Sequence, residues 1–123
     1  MIKAYYVFRK DLNMTPAKLA VQCGHGTQLL MLSENYKILE DWKLNSDSRK
    51  VVCEISSEEK LRNLYNTLTE YIDIEEIWIE EIWDSGYTEF NGKTLTGIAF
   101  MIDDEYTQQE VLKKVKRLQL YKG

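Results

Sequence analysis

Three short apolar runs constrain this chain most. Ile2–Phe8 (IKAYYVF), Val51–Ile55 (VVCEI) and Thr96–Ile102 (TGIAFMI) are bounded by polar or turn-forming residues. Aromatic and β-branched residues in runs this short read as buried strands. Longer segments with helical spacing lie between them. Thr15 is a plausible N-cap, and Pro16 at the first helical position loses nothing by lacking an N–H. A helix is expected over Pro16–Ser33 and a second over Glu34–Leu44. The segment SSEEKLRNLYNTLTEY is a third, capped by Ser56 or Ser57, with acids in its first turn and Leu61, Leu64, Leu68 and Tyr71 at helical spacing.

The duplicated IEEIWIEEIW, Ile74–Trp83, is too short to be a repeat architecture. Its isoleucines and tryptophans favour a strand over Ile77–Trp83. Asn91-Gly92 is a turn signal. Thr107–Arg117 reads as a short amphipathic helix with Val111, Leu112 and Val115 inward. The expected order is therefore β-α-α-β-α-β-β-α. This is an α/β fold, a single-domain three-layer sandwich over residues 1–123. Its four-stranded mixed sheet is largely parallel with one hairpin-like pair, and helices cover both faces.

Composition narrows the function classes. The formal charge is −4, which disfavours a uniformly basic nucleic-acid surface but leaves room for a local patch. Two separated cysteines, Cys23 and Cys53, form neither a disulfide framework nor a zinc site and read as reduced, partly buried thiols. The N-terminal segment lacks the pattern of a signal peptide, and no apolar run reaches the roughly 18–20 residues of a membrane span. A cytoplasmic protein is expected.

The first helix carries the chemistry. At 100° per residue, Lys18, Gln22 and His25 fall within a sector of about 60°, beside an apolar face holding Leu19, Cys23, Gly26 and Leu30. Lys18 sits near the third helical position, where the helix dipole disfavours a cation by about 0.3–1 kcal/mol. A lysine there makes an anion site, is held by a carboxylate, or simply reaches solvent. Gly24 and Gly26 weaken a helix and read as permitting close packing on the sheet. His25, the one histidine of the chain, reads more readily as a satisfied structural residue than as a catalyst.

The stretch RKDLNMTPAKLAVQCGHG resembles the opening of the type two peptidyl-tRNA hydrolases of archaea and eukaryotes, approximately R-x-D-L-x-M-x-x-G-K-x-A-x-Q-C-x-H-A. The matching positions are Arg9, Asp11, Leu12, Met14, Lys18, Ala20, Gln22, Cys23 and His25. DSGYTEFNGKTLTGIAF resembles the family's D-A-G-x-T and the threonine opening its last strand, at Asp84, Gly86, Thr88 and Thr96. Ala17, Gly26, Trp83 and Tyr87 depart from the pattern.

The resemblance implies hydrolysis of the ester joining a peptide to the terminal ribose of tRNA, without metal or cofactor, by a protein that is often dimeric. It implies that Lys18, Asp84, Thr88 and Thr96 are catalytic. Lys18 meets the oxyanion or a phosphate. Asp84 holds Lys18 and orients the water or takes its proton. Thr88 and Thr96 offer hydroxyls. Arg9, Gln22, His25 and Lys93 bind substrate. No serine or cysteine has a nucleophile's setting.

For Asp84 the structural alternative is a turn-forming aspartate before Ser-Gly. For the threonines it is ordinary strand residues. The acidic run from Glu70 to Asp84 and the lost basic positions favour a competing reading, a non-catalytic RNA- or protein-binding module on the same fold. A two-residue hairpin at Asn91-Gly92 would also point Thr88 and Thr96 to opposite faces, so a wider loop between Thr88 and Thr94 is expected.

Overall fold

In the computed structural model, residues 1–71, 78–87, 90 and 92–122 are described. β1 (Ile2–Arg9) ends in a 3₁₀ turn, Lys10–Leu12, and leads to α1 (Pro16–Leu32). Thr15 Oγ1 accepts the Lys18 backbone N–H at 3.2 Å, so the expected cap forms. Glu34 then takes φ of +62°, which no helix tolerates. The second helix therefore starts later than expected, as α2 (Tyr36–Asn45). β2 (Lys50–Ile55) follows, then α3 (Glu58–Thr69), capped by Ser57 through the Lys60 N–H.

β3 (Ile79–Asp84), β4 (Thr94–Asp103), α4 (Gln109–Lys116) and β5 (Gln119–Leu120) complete the order. Ile77, part of the expected third strand, lies outside the described residues, as do Asn91 of the expected turn and Thr88.

Among the described residues the sheet is mixed and has five strands, in the order β3-β4-β1-β2-β5. Two expectations are corrected. A fifth strand, β5, follows the last helix and pairs Leu120 with Cys53 and Gln119 with Glu54. The sheet is also not largely parallel. Only β1 and β2 run parallel, because the chain spends α1 and α2 on that crossover, while β3–β4, β4–β1 and β2–β5 are antiparallel.

Helices pack on both faces. Tyr5 and Val7 of β1 join Leu61 and Leu68 of α3 and Val111, Leu112 and Val115 of α4 in one core. Ala4, Tyr6 and Phe8 face the other way, onto Leu30 of α1 and Leu39 and Trp42 of α2. β1 sits centrally and is buried on both sides, which is why it reads as an unbroken apolar run.

Gly26 sets how closely α1 approaches the sheet. A Cβ there would lie 2.9 Å from Ile82 Cδ1 and 2.9 Å from Tyr6 Cδ1. Gly24 has nothing within 4 Å of the same position, so close packing does not account for it.

Candidate functional site

The site forms where the N-terminal turns of α1 cross the end of β3. Lys18 Nζ lies 2.6 Å from Asp84 Oδ1, with both side chains at least nine-tenths buried. One turn further along the helix, Gln22 Nε2 donates to the same Oδ1 at 3.1 Å. The Gly86 backbone N–H donates to Oδ2 at 2.8 Å. Asp84 is thus also the turn-former its sequence context suggested, with Gly86 at φ +85° completing the bend. The turn contact with Gly86 and the ion pair with Lys18 belong to the same side chain.

Burial alone would raise the Asp84 pKa. Hydrogen bonds from Lys18, Gly86 and Gln22 and the ammonium charge outweigh it and hold the carboxyl below its ordinary value. Asp84 is therefore ionised at neutral pH and is a weak proton acceptor.

Thr96 completes the chain of contacts. Its hydroxyl donates to Gln22 Oε1 at 2.7 Å, with the Ile82 carbonyl 3.2 Å away as a second acceptor. This fixes the amide: Oε1 faces the hydroxyl and Nε2 faces the carboxylate, which can only accept. Thr96 and Gln22 are both 0% exposed. Thr96 is therefore linked to the carboxylate through Gln22, and neither side chain reaches the surface.

A β-bulge makes this possible. Ile82 pairs with Gly97 but Trp83 pairs with Leu95, leaving Thr96 as the extra residue. Beyond it Ile98, Phe100 and Ile102 face α3 and α4, while Thr96 reaches Gln22 on the α1 side. Strict alternation would have sent Thr96 into the opposite core. Strand pairing ends at Asp84 and Thr94, so a two-residue hairpin at Asn91-Gly92 does not close this pair; residues 88, 89 and 91 of the intervening loop lie outside the described residues. Phe90 in that loop lies under the lysine, its ring centroid 5.5 Å from Lys18 Nζ. Nothing in the composition of the loop singled Phe90 out.

The remaining expected residues are dispersed. Arg9 donates from Nε and Nη2 to Asp11 and from Nη1 to Glu58 of α3 and the Leu95 carbonyl. It lies on the α3 side of the sheet with its charge balanced by two acids. His25 is exposed and borders a surface pocket with Gln28, Leu29, Glu81, Trp83 and Ser85. Exposed Lys93 has its Nζ 5.2 Å from the Trp83 ring centroid. Thr88 lies outside the described residues. Burial raises the Cys23 thiol and pushes Cys53 up to about 11, opposite to what activates a nucleophile.

Comparison with known proteins bears on this arrangement. A family model described as "Peptidyl-tRNA hydrolase PTH2" matches residues 2–121. The chain is 31% identical over 101 residues to "Peptidyl-tRNA hydrolase" of Methanocaldococcus jannaschii, covering 80% of this chain and 84% of that protein. It is 26% identical over 121 residues to "Peptidyl-tRNA hydrolase" of Thermoplasma volcanium, covering 96% and 99%. It is 30% identical over 100 residues to "Probable peptidyl-tRNA hydrolase 2" of Dictyostelium discoideum, covering 79% of this chain and 45% of that longer protein.

Proposed function

We propose that the chain, which belongs to the peptidyl-tRNA hydrolase PTH2 family, hydrolyses the ester between a peptide and the terminal ribose of tRNA, releasing free peptide and free tRNA. The observation that carries the reading is the buried Lys18–Asp84 pair at the N-terminus of α1, 2.6 Å apart.

Water adds to the ester carbonyl, negative charge builds on the carbonyl oxygen, and the ribose oxygen leaves with the proton that water gives up. Lys18 faces that developing charge, aided by the positive end of α1. Asp84 holds the ammonium in place and accepts from Gln22, whose amide Thr96 orients. With its oxygens engaged by three donors and its pKa lowered, Asp84 positions Lys18 and does not take the water's proton. Lys18 is the catalytic residue of this account. Asp84, Gln22 and Thr96 are positioning residues.

Charge distribution supports a tRNA substrate despite the net −4. The site lies at the sheet end where β1, β2 and β3 finish. Lys10, Lys18 and Lys93 lie at that end, and so does the junction of α4 with β5, where Gln119 pairs with Glu54. The last turn of α4 carries Lys113, Lys114 and Lys116. Asp103, Asp104 and Glu105 lie at the opposite end, where Ile2 pairs with Asp103. Phosphates at this end meet Lys10, Lys18 and Lys93, beside the acids Asp11, Glu54 and Glu58.

No helix among the described residues is long and apolar enough to cross a membrane. A substrate made by ribosomes assigns the work to the cytoplasm. The family match from residue 2 to residue 121 supports one domain over 1–123. Exposed Val21, Met31 and Leu32 of α1 and Tyr36 and Leu44 of α2 give a homodimer an apolar surface.

The test is turnover of peptidyl-tRNA by the purified protein beside Lys18→Ala and Asp84→Ala, each checked for folding. Hydrolysis that falls by about 100-fold or more in both supports the assignment. Activity that neither change affects removes these roles.

A further inference from the structure

Arg9 ends β1 with a side chain that is 11% exposed and faces α3, on the side of the sheet opposite Gln22. Four of its five N–H donors are engaged. Nε and Nη2 grip the Asp11 carboxylate at 3.2 Å and 2.8 Å. Nη1 donates to Glu58 Oε1 and to the Leu95 carbonyl, each at 3.1 Å. A guanidinium so occupied, between two acids, has little left to offer a phosphate. Its contact with β4 is the Leu95 carbonyl, and that carbonyl belongs to the peptide unit whose nitrogen is that of Thr96.

We propose that Arg9 is a positioning residue of the hydrolytic site, acting through the sheet: it fixes the Leu95–Thr96 peptide unit and so holds the bulge that turns the Thr96 hydroxyl toward Gln22. The proposal deepens the hydrolase reading above and rests on it.

The bulge needs a brace because regular alternation competes with it. Ile98, Phe100 and Ile102 face α3, and an unbulged Thr96 would follow them into that core. The β1–β4 ladder ends at Phe8 and Gly97, one residue short of Arg9 and Thr96. There the Arg9 side chain takes over from the backbone. A peptide unit is planar, so a donor that fixes its carbonyl sets ψ of Leu95 and φ of Thr96 together. The donor is charged, which strengthens the bond, and it is itself anchored by Asp11 in the turn after β1 and Glu58 at the start of α3.

The partner strand is met from the same face. Glu58 Oε2 accepts from Arg62 Nε at 2.8 Å, and Arg62 Cζ lies 6.0 Å from the ring centroid of Trp83, the register partner of Leu95. One ion-pair chain thus contacts the residue before Thr96 and the residue before Asp84. From Thr96 the path runs to Gln22 at 2.7 Å, to Asp84 at 3.1 Å and to Lys18 at 2.6 Å.

The experiment has two arms. The first compares steady-state hydrolysis of peptidyl-tRNA by wild type, Arg9→Lys, Thr96→Val and the double variant, each checked for folding. Lysine keeps the charge but gathers its donors on one atom, so it does not hold Asp11, Glu58 and the Leu95 carbonyl at once. Arg9→Lys is expected to lower kcat by about three- to ten-fold with KM within about two-fold, the loss of one orienting hydrogen bond. The double variant is expected to be no slower than the slower single one. In the second arm, the Thr96 methyl and Gln22 side-chain NH₂ signals are followed by NMR. Arg9→Lys is expected to move both while leaving the signals of α2 in place.

A raised KM with unchanged kcat overturns the proposal, because Arg9 then meets substrate. So do losses that multiply in the double variant, or Thr96 and Gln22 signals that do not move. If Arg9→Lys fails to fold, Asp11→Asn loosens the same guanidinium from an exposed position. It is expected to lower kcat in the same sense and to shift the same two signals, and no change in either overturns the proposal. A wild type that does not hydrolyse peptidyl-tRNA removes the hydrolase reading, and the Thr96 and Gln22 signals then decide whether Arg9 holds the bulge.

Discussion

Replacing Asp84 by asparagine isolates the charge at the centre of the site. The side chain keeps its shape but exchanges one carboxylate oxygen for an NH₂. Wild-type Oδ1 accepts from Lys18 at 2.6 Å and from Gln22 at 3.1 Å, and Oδ2 accepts from the Gly86 N–H at 2.8 Å. If the asparagine oxygen faces Lys18 and Gln22, its NH₂ meets the Gly86 N–H. If it is turned round, its NH₂ meets the ammonium and the Gln22 amide. Gln22 can turn to relieve its part of the second clash, the Thr96 hydroxyl then accepting from Nε2 and donating to the Ile82 carbonyl 3.2 Å away, but the ammonium still faces the NH₂. Each orientation strands a buried donor, at about 1–3 kcal/mol. Lys18 also loses its carboxylate, and breaking a buried pair from one side costs about 3–5 kcal/mol. Lys18 is close enough to the surface to relax, so we expect a net loss of about 2–4 kcal/mol at pH 7 by urea unfolding.

The pH dependence carries the sharper test. The Asp84 pKa is lower folded than its ordinary 3.8, so its contribution is present above that value and disappears as pH falls through the folded pKa. The stability gap between wild type and Asp84→Asn should be flat from pH 7 to about 5 and close progressively below about 4. A gap under about 0.5 kcal/mol at pH 7, within the range of an ordinary surface change, or one that widens in acid, would refute the reasoning.

Other outcomes follow from single contacts. Thr96→Val should lower kcat several-fold with KM nearly unchanged, while Thr96→Ser retains activity, because only the hydroxyl orients Gln22; steady-state kinetics separates the two. Gly26→Ala should destabilise by about 1–3 kcal/mol through overpacking against Tyr6 and Ile82. Gly24→Ala, with open space around it, should stabilise by up to about 1 kcal/mol; thermal unfolding of the pair tests both. Ser57→Ala should cost about 1 kcal/mol by removing the acceptor for the Lys60 N–H. KM should rise with salt between 50 and 200 mM if cations at the site's end of the sheet meet phosphates, in line with a roughly 0.9-power dependence per contact.

Much of this architecture was legible because local chemistry and tertiary packing agree. Thr15-Pro16 starts α1, the doubly buried β1 shows as a continuous apolar run, and the inward face of α4 follows from Val111, Leu112 and Val115. β5 was not legible. Two exposed residues carry no strand pattern, and only pairing with β2 makes them one. The balance of parallel and antiparallel pairing was missed because helices between strands suggest parallel crossovers, whereas β4 inserts antiparallel between β3 and β1.

The site divides along the same line. Spacing on α1 put Lys18 and Gln22 on one side of the helix. The likeness of two distant motifs, not spacing, drew Asp84 and Thr96 to them. That Thr96 is a buried link to Gln22 depends on the bulge opposite Ile82 and Trp83, which periodicity alone does not reveal.

The most direct measurement is a double-mutant cycle on kcat/KM for peptidyl-tRNA with Lys18→Ala, Asp84→Asn and the combination. If Asp84 acts by holding Lys18, the double variant should be no slower than Lys18→Ala alone. If the two losses multiply, the carboxylate does chemistry of its own and the account of a lysine held in place for the oxyanion is contradicted.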